Sequence, residues 1–369
     1  MKKNSTRLQS SSRGQSSRSG SMTIGLDLGD KSSCYCRLDG AGRMVSEGQV
    51  GTAKKALTQM FGRMRRCRIA MEVGTHSPWV SRLLSAFGHE VIVANARQLQ
   101  LISSSSRKDD RVDARMLARL ARMDAQLLRP IRHRSEEAQA DLLVIRVRDS
   151  LVKARTGLVN TARGLVKAAG ERLPKCDADQ LSVERLQWLP KLLRERLRPL
   201  LEEIESLTKK IKERDVEIEQ IARNQHPESA LLKQVWGVGT LIALTFVLTL
   251  EDKERFEKSR DVGCYVGLRP KRSESGERQP QLGITKEGDV YLRKLLVQGA
   301  QSILRRNGPD TDLKRWGLRL AGTSKNAKKR AIVAVARKLA VLLHRLWVSA
   351  EVYEPLRNSE LRERQRAAA

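Results

Sequence analysis

Aromatic side chains are scarce: four Phe, four Tyr and five Trp make up 4% of the 369 residues. So few rings exclude a surface that holds single-stranded bases mainly by stacking. Cysteine offers no framework either. Cys34, Cys36, Cys67, Cys176 and Cys264 are odd in number and scattered, with no Cys-x-x-Cys and no His at zinc spacing, so neither a disulfide scaffold nor a zinc module is expected. The longest apolar run, Leu241 to Leu250, is interrupted by Thr245 and Thr249 and closed by Glu251-Asp252. A bilayer span needs about 20 apolar residues. No apolar stretch comes after the basic N-terminal residues, so no secretory signal is expected. These absences predict a soluble, cytoplasmic protein that does not engage a membrane. Negative charge is short as well. Against 71 Lys and Arg stand only 42 Asp and Glu, a net charge of +29, and such an excess asks for a polyanionic partner, most simply nucleic acid.

The residues that are present organise into segments. Residues 1–21 are Ser-rich and basic, without hydrophobic period, and are expected to be a disordered tail. From Met22 the pattern is mixed. Strands are expected at Thr23 to Leu28, Ser33 to Leu38, Arg43 to Val50, Ile69 to Val73 and Val91 to Ala94. Helices are expected at Lys54 to Arg65, Pro78 to Phe87 and Val112 to Met123. Three strands in hairpin order followed by alternating helices and strands predict an α/β domain over 22–131. Residues 132–226 are almost wholly helical in pattern. Their last part carries a heptad, Leu197, Leu200, Ile204, Leu207, Ile211, Arg214, Ile218 and Ile221, apolar at all but Arg214. That spacing predicts a coiled-coil linker, with a helical hairpin inside one chain as the alternative. Pro199 is then expected in a first helical turn, where its missing N–H does no harm. A mostly α-helical second domain is expected over 227–355, ending in a helix from Ala331 to Trp347, with a loose charged tail over 356–369.

Four carboxylates stand out. Asp27 and Glu72 fall in apolar strands, Ile24-Gly25-Leu26-Asp27-Leu28 and Ile69-Ala70-Met71-Glu72-Val73. A carboxylate buried there needs a cation, hydrogen bonds or a strand-end position. Asp110 and Asp113 lie one turn apart at a helix start, where Asp110 could instead serve only as the cap. Carboxylates from two strands and a helix are what a pair of Mg²⁺ ions needs to act on a phosphodiester. In the second half, Trp236-Gly237-Val238-Gly239-Thr240 fits the glycine turn of a helix–hairpin–helix, whose Gly237 and Gly239 let backbone N–H groups approach a phosphate. The stretch Arg269-Pro270-Lys271-Arg272-Ser273-Glu274-Ser275-Gly276 places hydroxyls in a basic loop, and a serine there could meet a phosphate as a nucleophile. Lys325, Lys328, Lys329 and Arg330 cluster just ahead of the last expected helix, where their charge opposes the helix dipole and a phosphate would relieve it. The five His residues show no ligand spacing.

Taken together, Gly25-Leu26-Asp27, Ala70-Met71-Glu72-Val73-Gly74-Thr75, Lys108-Asp109-Asp110-Arg111-Val112-Asp113-Ala114-Arg115, Gly237-Val238-Gly239, Gly267-Leu268-Arg269-Pro270, Ser275-Gly276, Ile284 to Asp289 and Leu292-Arg293-Lys294-Leu295-Leu296 resemble the transposases of the insertion sequence 110 family. These are DEDD-type, RNA-guided serine recombinases of bacterial mobile elements, and the likeness covers nearly everything from Met22 to Pro355. The resemblance implies a RuvC-like (ribonuclease H-like) N-terminal domain whose Asp27, Glu72, Asp110 and Asp113 bind Mg²⁺. It also implies a C-terminal transposase domain whose Ser275 attacks DNA and forms a phosphoserine link. It further implies donor and target double-stranded DNA and a non-coding guide RNA as partners, a coiled coil joining the domains, and a homo-oligomer, dimer or tetramer, in which one subunit's carboxylates complement another's serine. Departures from the family pattern make Asp109 a rival to Asp110 and Ser273 a rival to Ser275. Arg269, Lys271, Arg272, Lys328, Lys329 and Arg330 are expected to bind nucleic acid. Two other readings fit the same residues: a junction nuclease using metal-activated water, and a non-catalytic basic scaffold.

Overall fold

A computed structural model describes residues 22–95, 109–273 and 282–359. They form two compact units that divide between His133 and Arg134. The first is a mixed sheet of β1 (Thr23–Asp27), β2 (Ser32–Leu38), β3 (Met44–Gly51), β4 (Arg68–Glu72) and β5 (Glu90–Ala94), in the order β3-β2-β1-β4-β5. The first three strands are antiparallel neighbours, and β4 and β5 run parallel to β1. Helices α1 (Lys54–Phe61), α2 (Ser77–Ala86) and α3 (Asp110–Met123) complete the unit.

Alternation along the strands decides which helix covers which face. Ile24, Leu26, Ile69, Met71 and Val93 pack with Leu57 and Phe61 of α1 and Val80 and Leu84 of α2. Residues of the opposite parity are small on β1 and β4, and α3 lies on them. Ala70, Ile92 and Ala94 meet Leu117, Leu120 and Ala121, while Cys34, Cys36 and Leu38 meet Ala114 and Ala118. The closest approach is at Gly25, where an added Cβ would stand 1.9 Å from the Ala114 carbonyl oxygen and 2.5 Å from the Ala118 amide nitrogen. Both obstacles are backbone, so neither can swing aside. Gly25→Ala is expected to destabilise this unit by about 3 kcal/mol, the upper end of the usual overpacking cost. A thermal unfolding midpoint unchanged from the parent protein contradicts that packing.

The second unit begins with α4 (Glu136–Ala168) and α5 (Lys191–Asn224). These helices pair antiparallel. Arg155 donates to Thr208 at 3.1 Å, Arg148 pairs with Asp215, and His226 meets Asp141 at 2.8 Å, so residues early in one helix face residues late in the other. The heptad is therefore taken up within the chain: Leu197, Leu201 and Ile204 bury against Val159 and Val166. The hairpin alternative is the one observed, with Leu201 and Thr208 buried in the seam while Leu200 is only partly covered. Pro199 also departs from expectation, because α5 starts at Lys191 and encloses it. Proline removes one bond to the carbonyl four residues back. Here both Pro199 and Glu195 are exposed, so water can satisfy that carbonyl.

The hairpin's open end shares a core with the shorter helices C-terminal to it. Ala138, Leu142, Ile145, Ile218 and Ile221 join Phe246, Leu292, Leu296, Leu339 and Trp347. The elements beyond the hairpin are α6 (Ser229–Leu232), α7 (Thr240–Leu250), α8 (Val262–Tyr265), α9 (Val290–Ile303), α10 (Asp312–Ala321) and α11 (Lys325–Ser349). Helix α11 starts six residues earlier than expected, because Ser324 caps it by accepting from the Ala327 amide. Among the described residues no helix is long and apolar enough to cross a membrane. The tails, 1–21 and 360–369, fall outside the described residues.

Candidate active site and nucleic-acid interface

Asp27 is the last residue of β1 and Glu72 the last of β4, and both are half-buried. The strands thus end on these carboxylates and do not enclose them, so full burial is not what calls for a cation here. What the sheet supplies is direction. Gly25 stands opposite Ala70 in the parallel pair, so Asp27 and Glu72, each two residues further on, point to the same side as those two small residues. That side carries α3.

Helix α3 runs antiparallel to β1. Near its end Arg122 donates to the Gly40 carbonyl at 2.9 Å, in the turn between β2 and β3, which lies at the amino end of β1 because Thr23 pairs with Leu38. The first turn of α3, with Asp110 and Asp113, is consequently at the carboxyl end of β1. The cap is Asp109, not Asp110: its carboxylate accepts from the Arg111 amide at 3.0 Å. That role ties Asp109 to the backbone and leaves Asp110, exposed, and Asp113, half-buried, directed from the helix. The nearby guanidinium of Arg115 is held by Glu47 through two bonds of 2.7 Å. This hydrogen bonding keeps the Glu47 carboxyl below its ordinary range.

Four hard oxygen donors from two strands and a helix, collected at one end of the sheet, are of the chemistry that Mg²⁺ takes. They are not drawn into a closed ligand set. Among the described residues no three Asp, Glu, His or Cys groups stand close enough to enclose a metal ion, and Asp27, Glu72 and Asp113 each already engage a neighbour.

Ser275 and Gly276 lie outside the described residues; Ser273 is exposed at the edge of that stretch. The chain on either side of residues 274–281 is firmly held. Lys271 donates its amide to the Gly283 carbonyl at 2.9 Å, Thr285 to that of Arg269 at 2.8 Å, and Lys286 to that of Gly267 at 3.0 Å. Beneath this clasp the buried guanidinium of Arg293 donates to the Val266 and Glu287 carbonyls, at 3.0 and 2.6 Å. Asp289 caps α9 through the Leu292 amide and also accepts from Arg146 of the hairpin at 2.6 Å. Sequence reasoning assigned no role to Arg293 or Asp289. Each is a charged residue inside or abutting the apolar pattern of one helix, and that was the available signal.

The two glycines of the hairpin turn do different work. Gly237 has φ +86°, and an added Cβ would stand 2.8 Å from the Gly299 carbonyl oxygen, so it packs the turn onto α9 and does not face outward. Gly239 is the N-cap of α7, with open space around it and no side-chain cap bond. The adjoining groove is lined by Lys233, Arg305, Arg306 and the half-exposed Trp236. Arg269, Lys271 and Arg272 are exposed on the clasp, and Lys328, Lys329 and Arg330 are exposed in the first turns of α11, inside that helix and not ahead of it.

Residues 24–170 match the family profile of DEDD transposases of the IS110 type, and residues 229–314 match the profile "Transposase IS116/IS110/IS902 family". The first match spans the four carboxylates, and together they place the chain among transposases. Relatives agree along most of the length. A Sinorhizobium fredii protein named as a transposase, y4pF/y4sB, is 30% identical over 309 residues, 82% of this chain and 78% of the relative. The transposase for insertion sequence element IS1111A of Coxiella burnetii is 28% identical over 341 residues, covering 89% of this chain and 90% of its own. That for element IS1328 of Yersinia enterocolitica is 28% identical over 288 residues, 77% and 84% of the two chains. The chain belongs to the IS116/IS110/IS902 family of transposases.

Proposed function

We propose that this transposase cuts and rejoins the double-stranded DNA of an insertion sequence through a covalent phosphoserine intermediate. The observation that carries the reading is the shared placement of the carboxylates. Asp27 and Glu72 end neighbouring parallel strands on the face covered by α3, whose first turn brings Asp110 and Asp113 to the same end of the sheet. The strand order β3-β2-β1-β4-β5, with three antiparallel strands followed by two parallel ones, supports a RuvC-like, ribonuclease H-like unit. The carboxylates are proposed to hold Mg²⁺, which when bound supplies positive charge against the phosphate oxygens in the transition state.

The chain's own part in the step is nucleophilic. Ser275 Oγ forms a bond to phosphorus, the phosphorus–oxygen bond to one deoxyribose breaks, the hydroxyl proton is released to solvent, and the departing sugar oxygen gains one. Because one phosphodiester is exchanged for another, the reverse attack by a sugar hydroxyl rejoins DNA without ATP. Arg293 and the clasp hold the chain on either side of the serine segment, and the hairpin turn at Gly239 with Lys233, Arg305 and Arg306 suits contact with phosphates without reading sequence. A non-coding guide RNA and a homo-oligomer, dimer or tetramer, belong to the proposal through the family resemblance.

The test is to incubate the protein with end-labelled DNA carrying the element's ends, with and without Mg²⁺, and resolve the products under denaturing conditions. Label that migrates with protein only when Mg²⁺ is present supports the proposal. Cleaved strands free of protein favour a nuclease that uses water. The charge of +29 also sets a salt dependence. For six to ten phosphate contacts, affinity falls by about 10³–10⁵ between 50 and 200 mM salt, and a flat anisotropy titration across that range contradicts binding through the phosphate backbone.

A further inference from the structure

A long groove runs between α10 and α11 in the second unit, with the chain entering and leaving residues 274–281 as part of its wall. Pro270, Leu282, Gly283 and Ile284 line it there. Its rim is strongly basic. Ten Lys or Arg side chains line it against three Asp or Glu, and one of those acids, Glu351, is already paired with Arg345 and Arg357. Arg319, Lys329 and Arg337 have no carboxylate within ion-pair distance among the described residues. On α11 the basic residues Arg330, Arg337, Lys338 and Arg345 recur at helical spacing along the groove. The fifteen steps from Arg330 to Arg345 span about 22 Å at a helical rise of about 1.5 Å per residue. One strand of DNA presents a phosphate roughly every 3.4 Å of axis. The floor is apolar, formed by Leu320, Val333, Val341 and Trp316, with the Lys338 ammonium 3.8 Å above the Trp316 ring.

We infer that this groove seats the backbone of one DNA strand. Charge complementarity selects the phosphates, and the apolar floor accepts the deoxyribose faces between them. Ten cations against three acids on one lining argue for a polyanion, and DNA is the polyanion on which a transposase acts. The inference rests on the proposed reading of the chain as an enzyme acting on double-stranded DNA, and its binding claim stands apart from the serine chemistry.

The experiment compares the parent protein with Arg319→Gln/Lys329→Gln. Both side chains are exposed, and neither belongs to the carboxylate or serine machinery. Anisotropy with a fluorescent DNA duplex, at several salt concentrations, is expected to show affinity reduced at least tenfold. The salt slope should be shallower by about two, one for each lost phosphate contact. Thermal unfolding should be unchanged. A benzophenone side chain in place of Leu320 is expected to crosslink to labelled DNA. Unchanged DNA affinity and slope overturn the inference. So does a loss confined to a matched RNA duplex, or crosslinking to protein with none to DNA, which assigns the groove to a guide RNA or to an acidic helix. Failure of the serine chemistry is read separately, as the absence of any covalent adduct with the parent protein, and leaves the binding result intact.

Discussion

Ser275→Ala is expected to abolish the protein–DNA adduct, reducing its formation by at least about 10⁴-fold, the scale on which loss of a nucleophile suppresses covalent catalysis. The change removes one oxygen and leaves the Lys and Arg residues of the same stretch untouched. Folding and DNA affinity are therefore expected to stay at parental levels. That combination is diagnostic, since a structural serine would change stability or binding along with activity. Ser273 supplies the internal control. It lies two residues earlier in the same basic stretch and is exposed, so Ser273→Ala should keep the adduct within a factor of a few. If adduct formation survives in Ser275→Ala and disappears in Ser273→Ala, the nucleophile is Ser273. If both variants still form it, neither serine is the attacking group.

The strands of the first unit were legible because their alternation is strong and their turns carry Gly or Asp. Each appears within about a residue of its expected bounds. The helix that begins at Asp110 shows its hydrophobic period only from Val112, since such spacing marks where a helix packs and the cap is set by a side-chain bond. Asp109 and Asp110 differ by one position, and only the bond from Asp109 to the Arg111 amide separates the cap from the candidate ligand. The heptad in α5 was equally visible, yet a heptad states that a stripe is buried without naming its partner. Leu142, Ile145, Val159 and Val166 of α4 supply that partner, through contacts distant in sequence. Pro199 misled for a related reason: its cost depends on whether the freed carbonyl meets water, which the linear sequence does not record. In the candidate site, small Gly25 and Ala70 were the hidden clue. Their size admits α3 onto the strands, and that approach brings Asp110 and Asp113 to the end of the sheet where Asp27 and Glu72 stand.

Asp27→Asn and Glu72→Gln are each expected to lower Mg²⁺-dependent strand cleavage by about 10²–10³-fold, the scale seen on losing one group that stabilises transition-state charge. Both substitutions keep side-chain shape and remove one negative charge at the mouth of the sheet, where hard cations need it. Calorimetric titration with Mg²⁺ should show weaker binding in each variant and none in the pair. Unchanged ion affinity in the double variant would leave the carboxylates as ordinary strand-end residues and favour a basic scaffold over an enzyme. The sharper contrast is on α3. Asp109→Asn keeps the cap, because Asn serves nearly as well as Asp there, and should leave stability and cleavage near parental values. Asp110→Asn touches no cap bond, so it should also leave stability unchanged while cleavage falls with the other two. The same unfolding midpoint in both variants, with activity lost only in Asp110→Asn, separates a carboxylate that ends a helix from one that works on phosphate. Activity lost only in Asp109→Asn would reverse that division, moving the ion's ligand onto the residue that caps the helix.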